Sequence, residues 1–286
     1  MPKIFVTGAT GALGHLIVEA LLRDGVPAAD ISAGGRNLAK LDDLAARGVA
    51  AVKFDYSDAE SLSAGLAGQD ILMLISASEP GNRVALHKAA IDAAVAAGVK
   101  RIVYTSAPRA TTSALVLAPE HKATEELIAE SGIPATILRN GWYTENYVGT
   151  AGQARETGTV VASVGDGRVA SASRVDYADA AAAAIVGEGH EGKTYELGGD
   201  VAWNYDDLAA AIGQAIGRDV TYTPVTPDEH LAALKAAGLD DGTAGFVVAL
   251  DGNTRDGLLA ETSGDLGRLI GRPTTPLGEG LRAALA

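Results

Sequence analysis

The chain has 286 residues, of which 47% are hydrophobic and 21% charged, with no cysteine and a formal net charge of -13. This length suits one large α/β domain or one domain with a smaller appendage. The missing cysteine excludes disulfides and thiol catalysis, and the negative charge argues against nucleic-acid binding. No apolar run approaches the roughly 18 residues of a membrane span, and no signal segment is recognisable. We therefore expect a soluble, cytoplasmic protein.

Short apolar runs typical of buried strands alternate with helical segments through the first half of the sequence. The predicted strands are 3–7, 31–34, 51–55, 71–76, 101–106 and 135–139, and the predicted helices are 13–23, 38–47, 59–67, 83–97 and 120–131. This alternation predicts an α/β fold, namely a Rossmann-type doubly wound parallel sheet. Its ligand crevice is expected at the carboxyl ends of the strands.

The pattern changes after residue 139. An aromatic and polar segment follows at 141–146, then an alanine-rich helix at 178–186, a strand at 194–197, and two or three helices after residue 199. We predict a Rossmann domain made of residues 1–140 plus about 176–198. A smaller C-terminal α+β lobe of residues 141–175 and 199–286 is expected to cover the crevice.

A glycine-rich turn, residues 8–14 with the sequence GATGALG, joins the first predicted strand to the first predicted helix. Gly8 permits a tight turn, Gly11 lets the backbone approach a pyrophosphate, and Gly14 lets the helix pack closely on the strand. The helix would offer free N–H groups and its positive dipole end to the phosphates. The turn therefore predicts a dinucleotide site; the alternative is a structural turn without a ligand.

The residues after the second predicted strand indicate which dinucleotide is bound. A site for NAD usually has an acidic residue about 20 positions after the glycines, but Gly34, Gly35 and Arg36 stand here. Arg36 matches a 2′-phosphate by its charge and planar set of donors. We therefore predict NADP(H), the alternative being that Arg36 is a solvated loop cation. Asp55 is a candidate acceptor for the adenine amino group, or else a turn-forming residue.

Ser106 closes the fifth predicted strand, where the reacting end of the cofactor is expected. Short-chain dehydrogenases add a Tyr-x-x-x-Lys pair on the next helix, but here Leu117 takes about the tyrosine position and His121 about the lysine position. A positioned acid is worth ~10²–10⁴-fold in ketone reduction, whereas a quinone gives a phenolate whose charge is delocalised. The sequence thus favours a quinone-like acceptor over a ketone; the alternative is a domain that binds NADP(H) without catalysis.

Polar and aromatic side chains follow the sixth predicted strand. Asn140 and Asn146 can donate hydrogen bonds to carbonyl oxygens, and Trp142 and Tyr143 can stack on flat rings. Packing between the lobes is the alternative for Trp142 and Tyr147, and a structural role is the alternative for His121, which would otherwise donate a proton or orient the substrate. The candidate catalytic residues are Asn140, Tyr143, His121 and Ser106.

The sequence resembles the NmrA-like atypical short-chain dehydrogenase/reductase family, and within it the branch of bacterial NAD(P)H:quinone oxidoreductase 2 and triphenylmethane reductase. Its most specific segment is Arg139-Asn140-Gly141-Trp142-Tyr143 followed by Glu145-Asn146-Tyr147. Further similar segments are 8–14, 104–106, Glu120-His121, Thr124-Glu125, Asp166-Gly167, 172–177 and 273–275. The family also lacks the Tyr–Lys pair. Gly34 and Gly35 replace its usual apolar residues, so we expect a loosely packed adenosine wall.

The resemblance implies an enzyme that transfers hydride from NADPH to a quinone or a similar flat, electron-poor acceptor, with no metal or flavin. The cofactor-binding residues predicted from the motifs and the resemblance are Gly8, Ala9, Thr10, Gly11, Ala12, Leu13, Arg36, Asp55, Ile75, Ser76, Ala77, Asn140, Gly141, Trp142, Tyr143, Thr144, Glu145 and Arg174. The alternatives are an NmrA-type redox sensor acting through a protein partner, and an NADPH-dependent reductase of azo dyes, triphenylmethane dyes or imines. A homodimer is the candidate assembly.

Overall fold

The computed structural model describes residues 2–77 and 81–286. The strands are β1 (Ile4–Val6), β2 (Ile31–Gly35), β3 (Ala50–Lys53), β4 (Ile71–Leu74), β5 (Arg101–Ser106), β6 (Ala135–Asn140), β7 (Trp142–Tyr143), β8 (Thr159–Ala162), β9 (Ser171–Ala172), β10 (Thr194–Leu197) and β11 (Thr221–Pro224). The helices are α1 (Ala12–Arg23), α2 (Asp42–Ala46), α3 (Ala59–Leu66), α4 (Arg83–Ala97), α5 (Ala118–Glu130), α6 (Val148–Thr157), α7 (Arg174–Val186), α8 (Tyr205–Ile216), α9 (Pro227–Ala236), α10 (Asp241–Arg255), α11 (Asp265–Ile270) and α12 (Leu277–Leu285).

The main sheet has seven strands in the order β10-β6-β5-β4-β1-β2-β3. Every neighbouring pair in it is parallel. The chain winds outward in one direction from β1 through β2 to β3 and in the other from β4 to β10. The strand order therefore reverses between β1 and β4, which leaves a crevice at their carboxyl ends. The predicted Rossmann-type doubly wound sheet is confirmed.

Helices cover both faces of this sheet, which explains the continuous apolar runs of its strands. One face packs against α1 and α7, whose buried side chains include Ile17 and Leu21. The other face packs against α3, α4 and α5 through residues such as Leu62 and Ile91. The alanine-rich stretch lies in α7, where the small side chains are buried against α1. It is thus a tightly packed helix, as predicted.

A third hydrophobic cluster lies in the C-terminal part of the chain and includes Val164, Trp203, Leu208 and Leu281. It packs around α6, α8, α12 and the short parallel pairs β8–β11 and β7–β9. The prediction of two or three helices after residue 199 is wrong, because five are described there. Much of α9 and α10 is exposed, so their sequences carry little apolar periodicity. The predicted domain boundaries stay a prediction.

Local capping explains another difference between prediction and structure. Helix α7 begins at Arg174, four residues before the predicted start, because Ser173 and Asp176 form a reciprocal capping box at its N-terminus. Within residues 2–77 and 81–286, no helix has both the length and the apolar character of a membrane span.

Candidate cofactor and substrate cleft

A cleft of about 770 Å³ lies at the carboxyl ends of the central strands, beside the point where the strand order reverses. It brings together residues from the glycine turn, from the ends of β2 and β4 to β6, and from the start of α7. The sequence-predicted residues that line it are Gly8, Thr10, Gly11, Ala12, Leu13, Arg36, Asp55, Ile75, Ser76, Ala77, Ser106, His121, Asn140, Gly141, Trp142, Tyr143 and Arg174.

Three of the predicted cofactor residues lie behind this lining. Ala9 is buried and its backbone N–H donates to the Gly34 carbonyl at 2.9 Å. The Thr144 hydroxyl is 2.9 Å from the Ser171 hydroxyl and is also buried. The Glu145 carboxylate accepts the Arg174 backbone N–H at 2.8 Å. Their polar groups support the wall of the cleft from its far side.

The glycine turn has the geometry of an anion site. Gly8 adopts the left-handed conformation with φ +59°, and a Cβ on Gly14 would lie 2.4 Å from the Gly8 carbonyl oxygen. Glycine at position 14 therefore lets α1 approach the turn. No side chain caps the N-terminus of α1 at Gly11, and no acidic residue stands in its first turn. The first N–H groups of α1 are thus left for a ligand, which fits a pyrophosphate.

The other side of the turn is tightly packed, so the expectation of a loose adenosine wall is wrong. A Cβ on Gly35 would lie 2.3 Å from the Thr10 methyl carbon, and one on Gly34 would lie 2.6 Å from the Phe5 ring. These neighbours fill the space that an apolar side chain would otherwise occupy. Glycine is therefore the residue that fits at both positions.

A charged pair stands at this end of the cleft, where Arg36 and Asp55 both contribute to the lining. The Asp55 carboxylate accepts from the backbone N–H of Ser57 at 3.0 Å and from its hydroxyl at 2.7 Å. These hydrogen bonds, with a smaller effect from Arg36, lower the pKa of Asp55. Asp55 is consequently a charged acceptor at neutral pH, and Arg36 supplies positive charge beside it.

Asn140, Tyr143 and Arg174 form the wall at the opposite end. The Asn140 amide donates to the Tyr143 hydroxyl at 3.2 Å, and its buried oxygen has no hydrogen-bond partner among the described residues. In either orientation of this amide, one polar end is left for a ligand. The Arg174 guanidinium lies 4.8 Å from the centre of the Tyr143 ring and donates to the Asn146 side-chain oxygen at 3.0 Å. Asn140 therefore fits a partner such as a carboxamide.

The Ser106 hydroxyl is already engaged. It donates to a Glu125 carboxylate oxygen at 2.6 Å, and Glu125 is in turn ion-paired with Arg139 at 2.7 Å. A hydroxyl has one proton to donate. Toward the cleft, Ser106 can therefore accept a hydrogen bond but does not offer its proton.

His121 lies on α5 at the edge of the cleft and is 6% exposed. Its Nδ1 is 2.9 Å from the Tyr104 hydroxyl oxygen. Burial, with the nearby Arg83 charge and His87, lowers the pKa of His121 to about 3. The ring is neutral at physiological pH, so it is a hydrogen-bonding group rather than a strong proton donor.

Trp142 and Tyr147, for which packing between the lobes was the alternative to a role in the site, lie in different places. Tyr147 is buried in the C-terminal cluster, with its ring centre 5.2 Å from that of Trp203 in an edge-to-face arrangement. Trp142 lines the cleft and also packs against that cluster. Tyr147 thus packs in the interior, whereas Trp142 packs against the cluster and is also exposed to the cleft; its stacking on a flat ring stays a prediction.

Sequence reasoning missed Arg83, which lines the cleft and is only 6% exposed. Its Nε donates to the Ala77 carbonyl at 2.8 Å and its other end to the Glu120 carboxylate at 2.6 Å. Glu120 is 37 positions away in the sequence. No local sequence pattern predicts a buried arginine at this position, because its burial depends on a tertiary contact with Glu120 on α5.

His87 holds the backbone that follows β4. Its Nε2 accepts the Ala77 N–H at 2.9 Å, and its Nδ1 is 2.9 Å from the Thr124 hydroxyl oxygen. The Thr124 proton goes to the Glu120 carbonyl, so Nδ1 of His87 is the donor. Burial, with repulsion from Arg83, lowers the pKa of His87 from 6.5 to about 3.

Acid should therefore destabilise the protein through His87. In the unfolded chain this ring binds a proton near pH 6.5, whereas in the folded protein it stays neutral down to about pH 3. The contribution of the neutral His87 ring to the free energy of unfolding is complete above pH 6.5 and is lost as the pH falls toward 3. Between pH 7 and pH 5 the free energy of unfolding should fall about 2 kcal/mol less in His87→Gln than in the wild type. Urea unfolding at the two pH values measures this, and equal losses would contradict it.

Comparison with known proteins agrees with the geometry of the cleft. A family profile described as NAD(P)H-binding matches residues 8–187. Quinone oxidoreductase 2 of Escherichia coli is 49% identical over 276 residues, which are 96% of this chain and 96% of that protein. The crystal structure of an NADPH-dependent quinone oxidoreductase from Escherichia coli, complexed with NADPH, has a TM-score of 0.94 at 47% identity and covers 99% of this chain and 100% of that one.

A second solved structure extends the comparison. The triphenylmethane reductase of Citrobacter sp., complexed with NADP(H), has a TM-score of 0.92 at 39% identity and covers 99% of this chain and 100% of that one. The similarity to these proteins therefore spans both the sheet and the C-terminal part. The chain belongs to the NAD(P)H-binding family, as an NmrA-like member of it.

Proposed function

We propose that the protein is an NADPH-dependent reductase that transfers hydride to a quinone or a similar flat, electron-poor acceptor. The observation that carries this proposal is the weakness of the proton donors at the reacting end of the cleft. Among the described lining residues, the Ser106 hydroxyl donates its proton to Glu125, the His121 ring is neutral, and burial raises the pKa of the Tyr143 hydroxyl. A quinone suits such a site because its reduced form is a delocalised phenolate. The full-length similarity to quinone reductases supports the same acceptor class.

Different residues of the cleft bind the phosphates of the cofactor and orient the reacting rings. When bound, NADPH supplies the hydride. The glycine turn and the first N–H groups of α1 hold the pyrophosphate, and Arg36 binds the 2′-phosphate. Asn140 and Tyr143 orient the reacting rings, and His121 donates a hydrogen bond to the acceptor. The phenolate product takes its proton from water, so the protein need not supply one.

A substrate panel tests this proposal. Benzoquinones should be reduced readily, whereas simple ketones should react at least ~10²-fold more slowly, because they depend on a positioned acid. His121→Ala should lower quinone turnover by less than the ~10²–10⁴-fold expected for an essential general acid. NADPH oxidation measures the rates, with NADPH affinity as the control for folding. Equal turnover of ketones, or a dead variant that still binds NADPH, would contradict the mechanism.

Arg36→Ala should weaken NADPH binding by about 1.5–3 kcal/mol, or roughly 10- to 150-fold, because one set of charged hydrogen bonds is lost. NADH lacks the 2′-phosphate, so its affinity should change little. Calorimetry with both cofactors measures the difference. The matched control is Arg47→Ala, since Arg47 is an exposed arginine paired with Glu19. Equal affinities of the wild type for NADPH and NADH would refute the preference.

A dye reductase is the second candidate function. The apolar side chains of Leu115, Leu117, Leu259 and Trp142 contribute to the cleft lining and suit a larger flat substrate. Triphenylmethane and azo dyes belong in the same panel, and faster reduction of dyes than of quinones would favour this function. If neither class reacts while NADPH binds tightly, a redox sensor acting through a protein partner is the better account.

Assembly and location complete the proposal. We propose a homodimer that works in the cytoplasm and binds no nucleic acid, the last supported by the net charge of -13. The division into a Rossmann domain and a covering lobe, as predicted from the sequence, belongs to the same proposal. Light scattering after size-exclusion chromatography measures the mass in solution.

A further inference from the structure

Tyr104 is a polar residue in β5, a strand in which every residue is buried. It is 0% exposed, and its ring lies between those of two histidines, with centre-to-centre distances of 5.6 Å to His87 and 6.1 Å to His121. Its hydroxyl oxygen is 2.9 Å from Nδ1 of His121. A phenylalanine would fill the same apolar space without burying a hydroxyl, so packing alone does not account for a tyrosine here.

The protons of this pair can be assigned from its chemistry. Burial raises the pKa of Tyr104 and lowers that of His121, so both groups are neutral at physiological pH. A buried hydroxyl that fails to donate its proton is destabilising. The Tyr104 hydroxyl oxygen is 2.9 Å from Nδ1 of His121 and also interacts with the hydroxyls of Thr124 and Ser76. A neutral imidazole nitrogen is a stronger acceptor than a hydroxyl oxygen, so the Tyr104 proton is assigned to the bond with Nδ1 of His121. A neutral imidazole whose Nδ1 accepts carries its own proton on Nε2.

With this assignment, the Nε2–H group of His121 is a hydrogen-bond donor at the edge of the cleft. Nε2 of His121 makes no hydrogen bond in the part of the chain that the structure describes, and His121 lines the cleft. We propose that Tyr104 is a positioning residue, whose hydroxyl holds His121 as the Nε2–H tautomer so that Nε2 donates a hydrogen bond to the acceptor oxygen. This inference rests on the proposed reduction of quinones.

The donated hydrogen bond matters most as charge develops. Hydride addition to a quinone places negative charge on an oxygen, and a donor aimed at that oxygen stabilises it more than the neutral carbonyl. The opposite tautomer would present a lone pair to the same oxygen. His121 keeps its proton throughout, and the hydroquinone anion is protonated by water.

His87 shows that the tautomer is set by the partner rather than by the ring. It lies on α4 near the same tyrosine, but the Ala77 N–H occupies its Nε2, so its proton is on Nδ1. The two histidines therefore carry their protons on different nitrogens within one cluster. Nδ1 of both histidines faces a buried hydroxyl, but the Thr124 proton beside His87 goes to the Glu120 carbonyl. Of the two histidines, His121 is the one that lines the cleft.

Tyr104→Phe tests the proposal with little change in packing. We expect kcat for a benzoquinone to fall about threefold to tenfold, as for one lost hydrogen bond, with NADPH affinity unchanged. Nitrogen-15 spectra of histidine-labelled protein should show His121 unprotonated at Nδ1 in the wild type and a mixture of tautomers in the variant. His121→Gln assigns the signals and keeps an N–H donor near the Nε2 position.

The double variant separates positioning from structure. In the His121→Gln background, Tyr104→Phe should have no further effect on kcat, because the glutamine has no Nδ1 for Tyr104 to hold. An equal loss in both backgrounds, or an Nδ1 proton on His121 in the wild type, would overturn the proposal. The failure of the proposed function itself looks different, because the wild type would then bind NADPH but reduce no quinone.

Discussion

Gly11→Val should abolish NADPH binding while the fold survives. Gly11 lines the cleft at the N-terminus of α1, with φ -97°, which valine tolerates. Its Cβ would stand 3.3 Å from the Gly8 carbonyl oxygen, and the two methyl groups beyond it would occupy the space in which a pyrophosphate approaches the backbone. We expect the Kd for NADPH to rise by at least about 100-fold, equivalent to about 2.7 kcal/mol. Calorimetry measures the affinity, and circular dichroism checks the fold.

Two other glycines make the test specific. Gly152→Val, in the exposed part of α6 with nothing within 4 Å of the new Cβ, should leave the affinity unchanged. Gly14→Ala should instead destabilise the fold, since its Cβ would meet the Gly8 backbone at 2.4 Å. NADPH affinity retained in a folded Gly11→Val protein would show that the phosphates bind elsewhere.

The centre of the sheet was predictable because strands β1, β4 and β5 are buried on both faces. Continuous apolar runs such as β4 carry a clear signal, and Arg83–Ala97 was predicted to the residue. The glycine turn was predictable because Gly8 adopts a positive φ and Gly14 allows the helix to approach the turn closely, and both requirements favour glycine in the sequence. The number of helices after residue 199 was underestimated because exposed helices such as α9 and α10 have no clear apolar stripe.

The state of each polar group in the cleft was not predictable from spacing. Ser106 lies at the end of β5 as expected, but its hydroxyl donates a hydrogen bond to Glu125 on α5. His121 faces the cleft, but Tyr104 determines which nitrogen carries the hydrogen. These partners are 19 and 17 positions distant in the sequence. They meet only when α5 packs on the sheet, so tertiary packing decides the chemistry of both side chains.

A partly buried cluster of three charged side chains joins α5 to the sheet directly behind the cleft. Arg139 on β6 pairs with Glu125 at 2.7 Å and with Glu196 on β10 at 2.8 Å. The side chains of Arg139 and Glu125 are only 12% and 10% exposed. Glu125 also accepts the Ser106 proton, and Asn140 follows Arg139 on the same strand. The cluster thus fixes two residues of the cleft.

Arg139→Met should lower the free energy of unfolding by about 3–5 kcal/mol, because it leaves two partly buried carboxylates without their cation. Adding Glu125→Gln should recover part of that loss, since the uncompensated charge is removed while an oxygen remains for Ser106. Urea unfolding measures both variants against Lys88→Ala. Lys88 pairs with Asp92 on the exposed face of α4, so this control should cost less than about 1 kcal/mol. If Arg139→Met costs no more than Lys88→Ala, the cluster does not stabilise the wall of the cleft. If the double variant is less stable than Arg139→Met, the loss comes from packing rather than from the unpaired charge.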